Sequence, residues 1–181
     1  MIDIMIDIET LSLTNDATIL SIGACEFDDE TIGATLYFEL CPDQGRHIDP
    51  GAALWWAQQS AAFNDGLVKY QLKPVLQNLA LFLDPQIDPD TNPALISSQF
   101  KGRVWANSPS FDCNIIRSAY DQYGMECPWR FYQEFDVRTI KYFLDKHDRP
   151  EFVGRKHNAL DDAIHQAKLV QSFLRVTGLE L

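Results

Sequence analysis

Positive charge is what this sequence has least of. Its 15 Lys and Arg stand against 26 Asp and Glu, a net charge of −11, and no cation precedes Arg46. Duplex binding without sequence preference draws its affinity from cationic side chains that replace phosphate counterions, so a chain this acidic is a poor duplex-coating protein, while action on a single strand end stays open. Cysteine is sparse and scattered. Cys25, Cys41, Cys113 and Cys127 form no CxxC pair and have no histidine in zinc register, which excludes a zinc ribbon and a disulfide scaffold and marks them as reduced thiols of the core. Long hydrophobic runs are missing as well. The opening Met1-Ile2-Asp3-Ile4-Met5-Ile6-Asp7 has no basic residue and is cut by aspartates, so it reads as neither a signal peptide nor a membrane span, and the expected location is the cytoplasm. Internal repeats and low-complexity stretches are absent.

What the chain does have is core-forming material. With 46% hydrophobic and 12% aromatic residues in 181, it supports one domain, 1–181, able to bury roughly two-thirds of its unfolded surface. The apolar run at Ile4, Met5 and Ile6 is expected to be a strand buried on both faces. Residues 18–27 and 35–40 complete a meander around the turn residues Asp28, Asp29, Glu30 and Gly33. Pro50 and Gly51 introduce a short helix over 52–59, and Pro74 suits the first turn of a helix containing Val75, Leu76, Leu79 and Leu83. Between Asp84 and Gly102 the pattern dissolves among Pro85, Pro89 and Pro93, a loop or insertion. A strand over 103–107, a helix over 111–123, a strand over 132–135, and helices over 137–144 and 158–177 follow, the last closed by Gly178. This order fits an α/β fold with a mixed sheet flanked by helices, an antiparallel meander on one side and parallel βα units on the other.

Three places carry chemistry. Asp7 and Glu9 lie two apart on the first strand, so both project from one face while Ile8 points the other way. Like charges at the end of a buried strand are unfavourable unless a cation joins them, and a divalent metal is the natural partner where no Lys or Arg lies nearby in sequence. Asp112 falls where a strand runs into a helix, a place the helix dipole favours for any acid. His157 stands just before the last helix on a lead containing Gly154, and Asp162 lies about one turn in. Asp161 and Asp162 point about 100° apart, so only one of them faces such a site.

In order, Asp7-Ile8-Glu9-Thr10, Phe111-Asp112, and His157 with Asp162 five positions on resemble the DEDDh branch of the DnaQ-like 3'-5' exonucleases, which have an RNase H-like fold. The stretches Trp55-Trp56-Ala57-Gln58-Gln59-Ser60, Trp105 to Asp112, and Asp136-Val137-Arg138-Thr139 look further like a bacterial and phage subgroup that includes a mycobacterial exoribonuclease and a phage exonuclease A. The resemblance implies Asp7, Glu9, Asp112 and Asp162 as ligands of two divalent ions, Mg²⁺ or Mn²⁺, with His157 as general base. It further implies release of nucleoside 5'-monophosphates from the 3' ends of single-stranded RNA or DNA. Hard carboxylate oxygens suit these ions. Thr10 and Leu11 match the segment that binds the terminal nucleotide in similar exonucleases. Trp56 or Trp55 is a candidate for stacking on a base, with one of the pair expected in the core. Asn107 is a further candidate contact, although it precedes Asp112 by five positions, one more than in the commonest form of that motif. An RNase H-like endonuclease and a catalytically silent nucleic-acid-binding module are the rival readings. A homodimer and a solvated loop fit the Pro-rich stretch equally well.

Overall fold

The computed structural model describes residues 2–59, 68–85 and 100–180. Five strands form one sheet in the order β3-β2-β1-β4-β5, built from β1 (Asp3–Thr10), β2 (Ile19–Phe27), β3 (Ile32–Glu39), β4 (Arg103–Ala106) and β5 (Glu134–Asp136). The first three pair antiparallel, while β4 joins β1 and β5 joins β4 in parallel, as the sequence pattern predicts. Five helices accompany the sheet among the described residues: α1 (Pro50–Gln58), α2 (Leu72–Leu83), α3 (Asp112–Gln122), α4 (Val137–Phe143) and α5 (Ala159–Thr177).

Strand alternation sorts the two faces of β1. Ile4, Ile6 and Ile8 join the core formed with α2 and α3, whereas Met5 packs with Trp105, Val137 and the Ala163, Ala167 and Val170 stripe of α5 on the other face. Asp7 and Glu9 share the parity of Met5 and therefore face α5. Gly23 lies opposite Asp7 in the β1–β2 register. A Cβ at Gly23 would stand 2.2 Å from the Ala159 carbonyl carbon, so the missing side chain is what lets α5 begin against the sheet.

Two local expectations change. Residues 131–133 form a 3₁₀ turn, and the last strand starts only at Glu134. The cause is Gln133, whose Oε1 accepts the Arg130 N–H at 2.8 Å while its Nε2 donates to the carbonyls of Phe100 and Gly102. Cys25, Cys113 and Cys127 are buried free thiols, and burial pushes Cys25 and Cys127 up to about 12; Cys41 is only half-buried. Most of the Pro-rich stretch, including Pro89 and Pro93, lies outside the described residues, as does Ser60. Among the described residues no helix is long and apolar enough to cross a membrane.

Candidate active site

The carboxylates meet where the C-terminal end of β1 faces the start of α5. One ligand oxygen from each of Asp7, Glu9 and Asp162 lies within 4.8 Å of the others. Neither Asp7 nor Glu9 forms an ion pair among the described residues. Asp3, on the same face of β1, is by contrast gripped by Arg103 at 2.7 Å and by the Trp105 indole N–H at 2.6 Å. Asp112 approaches from the α3 side, only 3% exposed, with Oδ1 accepting the Ile8 N–H at 3.3 Å.

The electrostatics match the crowding. Burial pushes Glu9 up to about 8, aided by Asp162 and Asp112, and burial pushes Asp112 up to about 7 against the lowering effect of the Ile8 N–H and the Arg138 charge. Asp7 is raised by burial, then by Asp112 and Glu9, and Asp162 is raised by burial. Desolvated carboxylates that raise one another are a donor set short of positive charge, and hard oxygen donors suit a divalent cation such as Mg²⁺ or Mn²⁺. The residues therefore fit the metal site that the sequence implies.

His157 stands at the mouth of the cluster. Its backbone N–H donates to Asp162 Oδ2 at 2.8 Å, and its φ of 62° is the one positive value outside glycine among the described residues. Asn158 then caps α5 by accepting the Asp161 N–H at 3.1 Å. The His157 ring meets Trp55 edge-on at 5.0 Å and Trp56 at 6.1 Å between centroids. Asp49 caps α1 through the Ala52 N–H, its own N–H donates to the Leu11 carbonyl, and the Trp56 indole N–H donates to the Thr10 carbonyl at 2.8 Å. These bonds dock α1 on the end of β1.

The candidate substrate contacts differ in how far they are buried. Thr10 lines a cleft of about 590 Å³ with Ser12, Leu13, His47 and both tryptophans. Leu11 is buried against Trp56, which is itself 7% exposed, so these two support the wall of the cleft. Trp55, 40% exposed, and Leu13, 86% exposed, present apolar surface instead. Asn107 is half-buried; its carbonyl receives Arg138 Nη2 at 3.5 Å, and its side chain makes no hydrogen bond among the described residues.

Sequence reasoning missed Gln166. Its Nε2 donates to Asp7 Oδ1 at 2.7 Å from a buried position one turn beyond Asp162. The available signal was the i, i+4 spacing from Asp162, which puts both side chains on one face of α5.

Comparison with known proteins accords with this geometry. The family model of the Rv2179c-like 3'-5' exoribonuclease domain matches residues 2–174. No curated protein matches the sequence. Among solved structures, the nuclease domain of 3'hExo, a DEDDh family member bound to rAMP, is 11% identical with a TM-score of 0.65, covering 99% of this chain and 94% of that one. The zinc-bound E. coli ExoI–ssDNA complex is 13% identical with a TM-score of 0.64, covering 98% of this chain and 41% of that one. Cell-death related nuclease 4 is 12% identical with a TM-score of 0.56, covering 97% of this chain and 64% of that one. At these identities the likeness is one of fold.

Proposed function

Because the chain belongs to the Rv2179c-like 3'-5' exoribonuclease domain family, and so is a metal-dependent 3'-5' exonuclease acting on nucleic acid, we propose specific roles for its residues. Asp7, Glu9, Asp112 and Asp162 hold two ions, Mg²⁺ or Mn²⁺, and His157 is the general base. The substrate is the 3' end of single-stranded RNA. The observation that carries this reading is the meeting of Asp7, Glu9 and Asp162 within 4.8 Å, beside a histidine whose backbone is tethered to Asp162.

When bound, the ions supply a lowered water pKa and stabilise charge on the departing 3' oxygen. His157 takes the proton of the attacking water as the water oxygen bonds to phosphorus and the bond to that 3' oxygen breaks, which frees a nucleoside 5'-monophosphate. Trp55 and Trp56 limit the swing of the His157 ring through their edge contacts. Trp55 stacks on the terminal base, a contact indifferent to base identity because every base has a π-face. Thr10 and Leu13 line the same cleft, with Leu13 as its exposed apolar wall, while Leu11 and Trp56 hold that wall from beneath. Asn107 acts through its backbone, which receives Arg138 beside Asp112. A single domain and cytoplasmic residence, the latter consistent with four free thiols, complete the reading; sedimentation of the full chain distinguishes a homodimer from a monomer.

Digestion of matched 5'-labelled RNA and DNA oligonucleotides with Mg²⁺ or Mn²⁺ tests the proposal. The expected result is a one-nucleotide ladder shortening from the 3' end, faster on RNA, and lost in Asp7→Ala. Internal cuts would point to an endonuclease, and no product to a binding module.

A further inference from the structure

We infer that Asp161, the carboxylate turned away from the metal cluster, is the positioning residue that sets the lead carrying His157. The inference rests on His157 as the base. The lead is exposed from Val153 to His157, and few bonds hold it. Asp161 Oδ2 accepts the Arg155 N–H at 2.7 Å, Asp162 Oδ2 accepts the His157 N–H at 2.8 Å, and the Asn158 N–H returns to the Arg155 carbonyl at 3.2 Å. Two adjacent acids on the first turn of α5 thus clasp the lead at alternate residues, one from each side of the helix start.

Gly154 shows that the fit on the Asp161 side is close. It sits at φ +123°, and a Cβ there would stand 2.6 Å from Asp161 Cγ and 2.8 Å from Oδ2. The backbone of the lead therefore lies directly on the Asp161 carboxyl, a contact that only glycine permits. His157 itself occupies the left-handed region at φ 62°, a conformation uncommon outside glycine. The Asp162 carboxylate holds the lead and is at the same time a member of the acid cluster. Asp161 has no such second duty, and its bond to Arg155 fixes the lead two residues upstream of the base.

Kinetics and amide hydrogen exchange on the full chain test the clasp. Asp161→Ala should lower kcat by about tenfold, within the range for loss of a supporting contact, while leaving KM and the Mn²⁺-induced rise in Tm near wild type. Asp161→Asn should restore most of kcat, since its amide oxygen accepts the same N–H. The Arg155 amide should exchange faster in Asp161→Ala than in wild type. Gly154→Ala should reproduce the kinetic loss, and it decides the matter if Asp161→Ala folds poorly; where both fold, the double variant should be no worse than either single one. Wild-type kcat in a folded Asp161→Ala, an Asn variant as impaired as Ala, or unchanged Arg155 exchange would each overturn the inference. Should the wild-type protein fail to degrade RNA, the functional reading fails while the exchange result still decides whether the clasp exists.

Discussion

Asp3, Asp7 and Glu9 share one face of β1, and their surroundings set them apart. Asp3 is neutralised by Arg103, whereas Asp7 and Glu9 meet other carboxylates. Glu9 moves from an ordinary 4.5 to about 8, and Asp112 from 3.8 to about 7. The folded protein therefore binds more protons than the unfolded chain over this range, so the stability these groups contribute is full below about pH 4 and is lost as pH rises towards 8. Metal ions bound by these carboxylates, as proposed, would compete with those protons. Melting without metal should accordingly fall between pH 5.5 and pH 8, less so in Glu9→Gln, and the Mn²⁺-induced rise in Tm should grow over the same interval. A metal response that shrinks with pH would mean that the carboxylates do not act together. Gln166 belongs to this scale as well. Gln166→Leu removes the donor that orients Asp7, and the Mg²⁺ concentration for half-maximal activity should rise about 10- to 100-fold, as when an outer partner of a metal ligand is lost.

The start of α5 delivers both Asp162 and His157, and Gly23 on β2 sets how close it comes. Gly23→Ala forces backbone apart at a contact of 2.2 Å, a strain of about 1–3 kcal/mol, so it should lower Tm and turnover together; a variant that keeps both would show that the helix start is free to shift. The elements themselves were legible because their signals are local. Period-two placement put Asp7 and Glu9 on one face, and Asn158 with Gly178 marked the ends of α5, where Gly178 takes φ 70° as a C-cap. The missed features depend on partners distant in sequence. Leu11 and Trp56 bury each other across more than forty residues, so neither reveals its burial alone. Both tryptophans line the cleft, but Trp55 is the exposed one, and the Trp56 indole N–H is turned to the Thr10 carbonyl. The 3₁₀ turn before β5 exists because Gln133 reaches back to Phe100 and Gly102.

For the molecule as a whole, a net charge of −11 limits how a polyanion is held. Near the site, Arg138 acts on Asp112 and Lys156 on Asp162, and Arg155 lies two residues before His157. Single-strand binding loses about 0.7 log units of affinity per tenfold rise in salt for each phosphate neutralised, so three cations predict a slope no steeper than about −2 for short RNA, measured as KM against KCl concentration. A much steeper slope would place the strand on a basic surface elsewhere. The start of α5 carries Asp162 and His157 to the carboxylate cluster at the C-terminal end of β1, the central strand of the sheet. The most direct test of their proposed roles is removal of the 3'-terminal nucleotide under single-turnover conditions, recorded beside the Mn²⁺-induced rise in Tm, for wild type, Asp162→Asn and His157→Ala. Asp162→Asn should lose both, while His157→Ala should lose roughly 10²- to 10⁴-fold in rate and keep the metal response. Near-normal turnover in His157→Ala, or an unchanged metal response in Asp162→Asn, would contradict those roles.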